Sequence, residues 1–172
     1  MREVGLLMAA LAVWGLAGGS AAAGPAPGPQ GVVSGDWTLT VEGVGVPTLS
    51  DLPALPTDWE SPMPVARATI RRAGGRSPGW QVLIRRVDGL WPSGVTLEAC
   101  LTDQGRGGTV QSPYRCSDRS FVEVGTQDTL FFWGSGNPSD VGIGLRLSGI
   151  SVDVPPGIYM TAVVYTIVAG SP

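Results

Sequence analysis

Two cysteines and two glutamates are the side chains best placed by type and spacing to do chemistry in this chain. Cys100 and Cys116 are the only cysteines in 172 residues. An even count in an exported chain reads as a disulfide. The bridge would close a loop of 15 intervening residues, and a loop of that size contributes roughly 3 kcal/mol in the chain-entropy model. A metal pair or a redox pair is the alternative. Two thiols do not complete a zinc site, and the spacing is not Cys-x-x-Cys. Glu98 and Glu123 come nearest to a carboxylate pair facing across a cleft, as glycoside hydrolysis requires. Acids spread over a surface are the default reading of both.

Absent residue types narrow the chemistry further. The chain has no histidine and no lysine. Imidazole acid–base work, a Ser/His/Asp arrangement and His-ligated metals are therefore excluded. So are Schiff-base chemistry and phosphate loops that end in lysine. No Asp-x-Asp calcium loop occurs. Lone acids such as Asp103, Asp118 or Asp140 could join loop carbonyls around calcium, but no motif supports that. The expectation is a non-enzyme with no cofactor and no metal.

Two groups remain as candidate binding residues. Arg71, Arg72, Arg85 and Arg86 fall in two neighbouring apolar-alternating stretches, 65–72 and 80–87, read as a hairpin around 73–79. They would offer an acidic partner or a sugar acid a basic patch. The plainer reading pairs them with acids such as Glu42, Asp88 or Glu98 across strands. Trp59, Trp91 and Trp133 sit beside turns, where an indole could stack on a sugar ring. Packing at the ends of a core explains them as well and ranks higher.

The elements that position these residues are extended. Arg2, the apolar run 4–17 and the small residues 18–23 form the three-part pattern of a secretory leader, cleaved after Ala23. Its apolar stretch is short of the roughly 20 residues needed to span a bilayer, so no membrane span is expected in the mature form. The mature chain would carry ten arginines against thirteen acids, since Arg2 and Glu3 leave together and the net charge stays at −3. That balance gives no reason to bind nucleic acid or anionic lipid. Residues 24–35 read as a flexible Pro/Gly arm, and 36–172 as a single domain.

Within that domain the periods are those of strands. Trp37, Leu39 and Val41 alternate with Thr38, Thr40 and Glu42. Ala66, Ala68 and Ile70 alternate with Arg67, Thr69 and Arg71; Trp80, Val82 and Ile84 alternate with Gln81, Leu83 and Arg85. Further strands are expected over 95–101, 121–124, 129–133, 141–147 and 158–168. The last of these is apolar on both faces and suits the middle of a sheet. Between them, 47–64 reads as a proline-rich loop, 102–118 as a polar excursion stapled by the disulfide, and 134–139 as a loop. The sum is an all-β, antiparallel β-sandwich of about eight strands, immunoglobulin-like or jelly-roll.

Pro156-Gly157-Ile158-Tyr159, followed by Val164-Tyr165-Thr166, resembles the C-terminal strand of bacterial secreted β-sandwich surface proteins, among them the spore coat protein U-like and WxL-type families. Trp37-Thr38-Leu39 matches one Trp-x-Leu motif of the latter. The resemblance covers about 20 residues and implies an extracellular structural or coat role with self-association through sheet edges. The expected function is a secreted, non-catalytic subunit of a cell-surface layer, coat or filament, partnered by itself or by other surface proteins. Assembly would proceed by strand addition, with 24–46 of one subunit completing the sheet of the next. A carbohydrate-binding or adhesion module with a glycan partner is the alternative, and a secreted hydrolase using Glu98 the third.

Overall fold

Alternation of the kind seen at Trp37–Gly43 needs a second apolar layer to cover it, and the computed structural model shows that layer. It describes residues 5–16, 30–34, 36–43, 58–61, 64–74, 79–87, 91–151 and 157–170. Among them are twelve strands. In chain order these are β1 Gly5–Leu16, β2 Gln30–Ser34, β3 Trp37–Gly43, β4 Asp58–Glu60, β5 Ala66–Arg72, β6 Trp80–Arg86, β7 Thr96–Leu101, β8 Arg106–Gln111, β9 Val122–Glu123, β10 Thr129–Ser139, β11 Val141–Ser148 and β12 Gly157–Ala169. Every strand pair is antiparallel.

The strands form two layers of an antiparallel β-sandwich. One sheet runs β1-β12-β6-β10-β8. The other runs β2-β3-β5-β11-β7-β9, with β4 also on β11. Their inner faces share one core. Trp37, Leu39, Ile70, Leu97 and Ile143 from the second sheet meet Trp80, Ile84, Phe131, Phe132 and Ile167 from the first, each at most 2 % exposed. Phe131 and Phe132 are consecutive, yet both are buried. A register shift between Leu130 and Phe132 explains this, because a bulge breaks the alternation and turns two neighbours inward.

All eight expected strands are present, and four more join them. β1 is the apolar run read as a leader, and β2 lies in the stretch read as an arm. β4 lies in the proline-rich stretch 47–64, of which 47–57 and 62–63 fall outside the described residues. β8 lies in the polar excursion 102–118.

The expected hairpin at 65–87 does not form. β5 belongs to one sheet and β6 to the other. Each carries a single apolar face, and these faces cover one another only from opposite layers. The seven residues 73–79 are long enough to cross the roughly 10 Å between packed sheets.

The expected loop 134–139 is the second half of β10, paired with β8 through Gly134–Ser139. Asp140, in the left-handed region at φ 61°, then turns the chain directly into β11 of the other sheet. β4 and β5 lie end to end along one side of β11. Where they meet, the Ser61 N–H donates to the Leu145 carbonyl at 2.9 Å and the Val65 N–H to the Ile143 carbonyl at 2.8 Å. There the Ser61 hydroxyl accepts from the Leu145 N–H at 3.1 Å.

Candidate functional site

The outward positions of β11 are Gly142, Gly144 and Arg146, and each holds a different piece of the surface. The two glycines are packing devices. A Cβ on Gly142 would collide with Thr102 Oγ1 and Asp103 Oδ2, and one on Gly144 would lie 3.0 Å from Cys116 Sγ. Glycine in a strand interior marks such a close approach. The disulfide is formed: Cys100 and Cys116 are bonded, with Cα atoms 5.2 Å apart. It lies across Gly144, opposite Cys100 on β7, and ties down the return of the 102–118 excursion.

Arg146 stands opposite Glu98 on β7. Its Nε and Nη2 donate to the two carboxylate oxygens at 2.8 Å each, and its guanidinium lies 3.8 Å from the centre of the Phe121 ring. Burial raises the Glu98 carboxyl, but hydrogen bonds from Arg146 and Ser148 and the charge of Arg146 outweigh it and hold the pKa below the usual carboxylate value. Glu98 is also directly opposite Glu123 on β9. The pair named from the sequence is therefore brought together, but side by side on an outer face. A general acid needs a raised pKa, and Glu98 has the reverse.

At the Gly142 end lies an open cleft of about 550 Å³, lined by Arg67, Asp103, Gln104, Gly105, Arg106 and Asp140. Asp103 organises it. Oδ1 accepts from the Gly105 and Gly142 N–H groups at 3.0 and 3.3 Å, and Oδ2 accepts from the Thr102 hydroxyl at 3.3 Å. Gly105 has φ 69° and leaves no room for a Cβ against the Ser139 carbonyl. Arg67 Nη1 donates to the Asp140 carbonyl at 3.1 Å and lies 3.8 Å from Asp103 Oδ2. Two guanidinium groups, one amide and two carboxylates can hold a hydroxyl-rich or carboxylate-bearing ligand by hydrogen bonds. They offer no nucleophile–base pair.

The arginines named from the sequence do not form one patch. Arg71 and Arg72 end β5, whereas Arg85 and Arg86 end β6 in the opposite sheet and at the opposite end of the sandwich. Arg72 pairs with Asp36 at 3.3 Å and stacks on Trp37. Arg85 pairs with Asp128 at 3.4 Å. Arg86 lies over the Trp91 ring. Acids pair with two of them, Asp36 with Arg72 and Asp128 with Arg85; Asp88, named above, lies outside the described residues.

The tryptophans are dispersed as well. Trp59 and Trp91 pack against the core, and the Trp91 indole donates to the Val95 carbonyl at 2.7 Å. Trp133 lies in the other sheet and donates to Gln111 at 3.0 Å.

Among the described residues, Glu60, Cys100 and Cys116 are the one group with metal-type ligands, and both sulfurs are spent in the disulfide. Sequence reading missed the cleft and the Arg146–Phe121 contact. Two signals were there to find: the Asp103-x-Gly105 turn pattern, and glycines at alternate places in an otherwise β-branched strand.

No protein-family model, curated protein or solved structure matches the chain.

Proposed function

We infer that the protein is a secreted, non-catalytic structural subunit of a cell-surface layer, coat or filament, and that it assembles by strand addition. One observation carries this reading. Glu98, the acid best placed for chemistry, is held by Arg146, and three further arginines pair with acids: Arg67 with Asp103, Arg72 with Asp36 and Arg85 with Asp128. What such a molecule offers a partner is its faces and sheet edges. The disulfide supports export, because such bonds persist in oxidising compartments. The test is deletion of residues 24–34 from the exported protein. High-molecular-weight species should disappear in size-exclusion chromatography, and an unchanged profile would count against assembly through this segment.

A carbohydrate-binding or adhesion role is the second reading, favoured by the polar cleft around Asp103 rather than by the tryptophans. Glycan-array binding lost on Arg106→Ala would support it, and silence across uronic-acid and neutral glycans would remove it.

A further inference from the structure

The longest strand, β12, has two neighbours. β6 pairs with Val163–Ala169. β1 pairs with the stretch from Gly157 to Ile167 through eleven register positions. β1 is Gly5–Leu16, the apolar run of the segment read as a leader, which export removes. The mature chain then keeps β12 and loses its outer neighbour. An edge strand with an open row of N–H and C=O groups is a template for another chain. β12 cannot be withdrawn to protect that edge, since Val163, Val164, Tyr165, Thr166 and Ile167 are all buried.

Resting on the assembly reading above, we propose that the β12 edge is the acceptor and that residues 24–34 of a second copy are the strand it receives in place of β1. Successive residues of a strand turn their N–H and C=O groups to alternate edges. Pro25, Pro27 and Pro29 share one parity; Gly24, Ala26, Gly28, Gln30, Val32 and Ser34 share the other and keep their N–H groups. As a strand, this segment has one edge that can bond and one that proline blocks. Proline on the outward edge also stops a further strand from adding.

The segment's eleven residues match the eleven positions that β1 fills. Gln30–Ser34 is held to β3 by five register positions, so moving it to β12 exchanges five for up to eleven. β3 stays behind because Trp37, Leu39 and Val41 are core residues. The donor therefore ends at Ser34, not at Val46.

The experiment exports the full chain and compares the purified mature protein with two variants, by size-exclusion chromatography and hydrogen–deuterium exchange. Intact mass first establishes cleavage. Ala26→Pro with Gly28→Pro puts proline on the bonding edge and should lower the multimer fraction at least tenfold, with an unchanged circular dichroism spectrum. Pro27→Ala alters the outward edge and should assemble as the wild type does. In wild-type multimers, exchange over 157–169 should slow at least tenfold relative to the double variant, with no change over 106–111 in β8. Protection at β8 instead would overturn the β12 assignment while leaving strand addition standing. Equal losses in both variants would overturn the donor assignment. A monomer already protected over 157–169 would mean the arm closes on its own sheet and would overturn the second-copy occupant. A monomer unprotected there would defeat the assembly reading itself.

Discussion

Arg146 and Glu98 face each other across β11 and β7, and the guanidinium grips both carboxylate oxygens at 2.8 Å. The geometry is the two-pronged one that makes such pairs stronger than ordinary hydrogen bonds. Only 15 % of the Glu98 side chain and 26 % of the Arg146 side chain are exposed, so water screens the pair little. Glu98→Gln should destabilise the fold by about 1–2 kcal/mol, less than for a fully buried pair because Arg146 still reaches solvent. The acid limb gives a second readout. The Glu98 pKa is lowered in the fold, so its contribution is complete above the unfolded value of about 4.3 and fades as pH falls through the folded one. Thermal melts from neutral to acid pH should show wild type losing its advantage over Glu98→Gln below that point. Parallel pH profiles for the two proteins would remove this account.

Gly144 and the disulfide depend on one another. A Cβ at position 144 would sit 3.0 Å from Cys116 Sγ, 3.2 Å from Thr102 Cγ2 and 3.3 Å from Cys100 Sγ. Replacing both cysteines by serine should cost about 2–4 kcal/mol. Gly144→Ala should cost about 1–3 kcal/mol with the bridge in place, the usual range for overpacking. Without the bridge, the same substitution should cost measurably less, because the excursion can lift away. Denaturant titration of the four proteins of this cycle checks it. Strict additivity would mean that the contact carries no strain.

Which strands were legible follows from what covers them. β3, β5 and β6 each pair one buried face with one more open face, and β11 alternates apolar side chains with Gly142, Gly144 and Arg146; that alternation is written in Trp37-Thr38-Leu39-Thr40-Val41 and its counterparts. β4 and β8 were not legible, because their residues make no apolar stripe. β8 is Arg-Gly-Gly-Thr-Val-Gln and buries Val110 alone; it exists because β10 offers it an edge. The second half of β10 was hidden for the same reason: Gly134-Ser135-Gly136-Asn137-Pro138 has turn chemistry, yet Trp80 holds it by donating to the Gly136 carbonyl at 3.1 Å.

The disulfide was legible from count and spacing. Sheet membership was not, since an alternating strand shows the same period in either layer, and so β5 and β6 read as a hairpin. The cleft around Asp103 escaped because Arg67, Asp103 and Asp140 lie far apart in the chain and meet only when β10 turns into β11.

Thr166 is 0 % exposed, and its hydroxyl has no hydrogen-bond partner among the described residues. A buried hydroxyl without a partner costs about 1–3 kcal/mol in mutational data. Valine keeps the β-branched shape that suits a strand and drops that penalty. Thr166→Val should therefore raise stability by about 1 kcal/mol, whereas Thr166→Ser keeps the hydroxyl, loses the methyl and should lower it. Denaturant midpoints with unchanged slopes decide the matter. A destabilised valine variant would show that the hydroxyl is satisfied after all.

Tyr165 lies between Val164 and Thr166 on β12, opposite Ile84 of β6, and burial pushes its phenol well above the ordinary value of about 10. The fold therefore favours the protonated ring. The sign follows: the contribution is complete below the unfolded-state pKa and falls as pH rises beyond it. One unit above that value, ionisation of the unfolded chain alone costs the wild type about 1.4 kcal/mol. Tyr165→Phe has nothing to ionise and should gain on wild type by about that amount at such a pH, whatever its difference near neutrality. In an alkaline titration followed by phenolate absorbance, one tyrosine's share should appear only together with the loss of β-sheet signal. Phenolate that forms fully while the sheet signal persists would mean that Tyr165 reaches solvent within the folded protein.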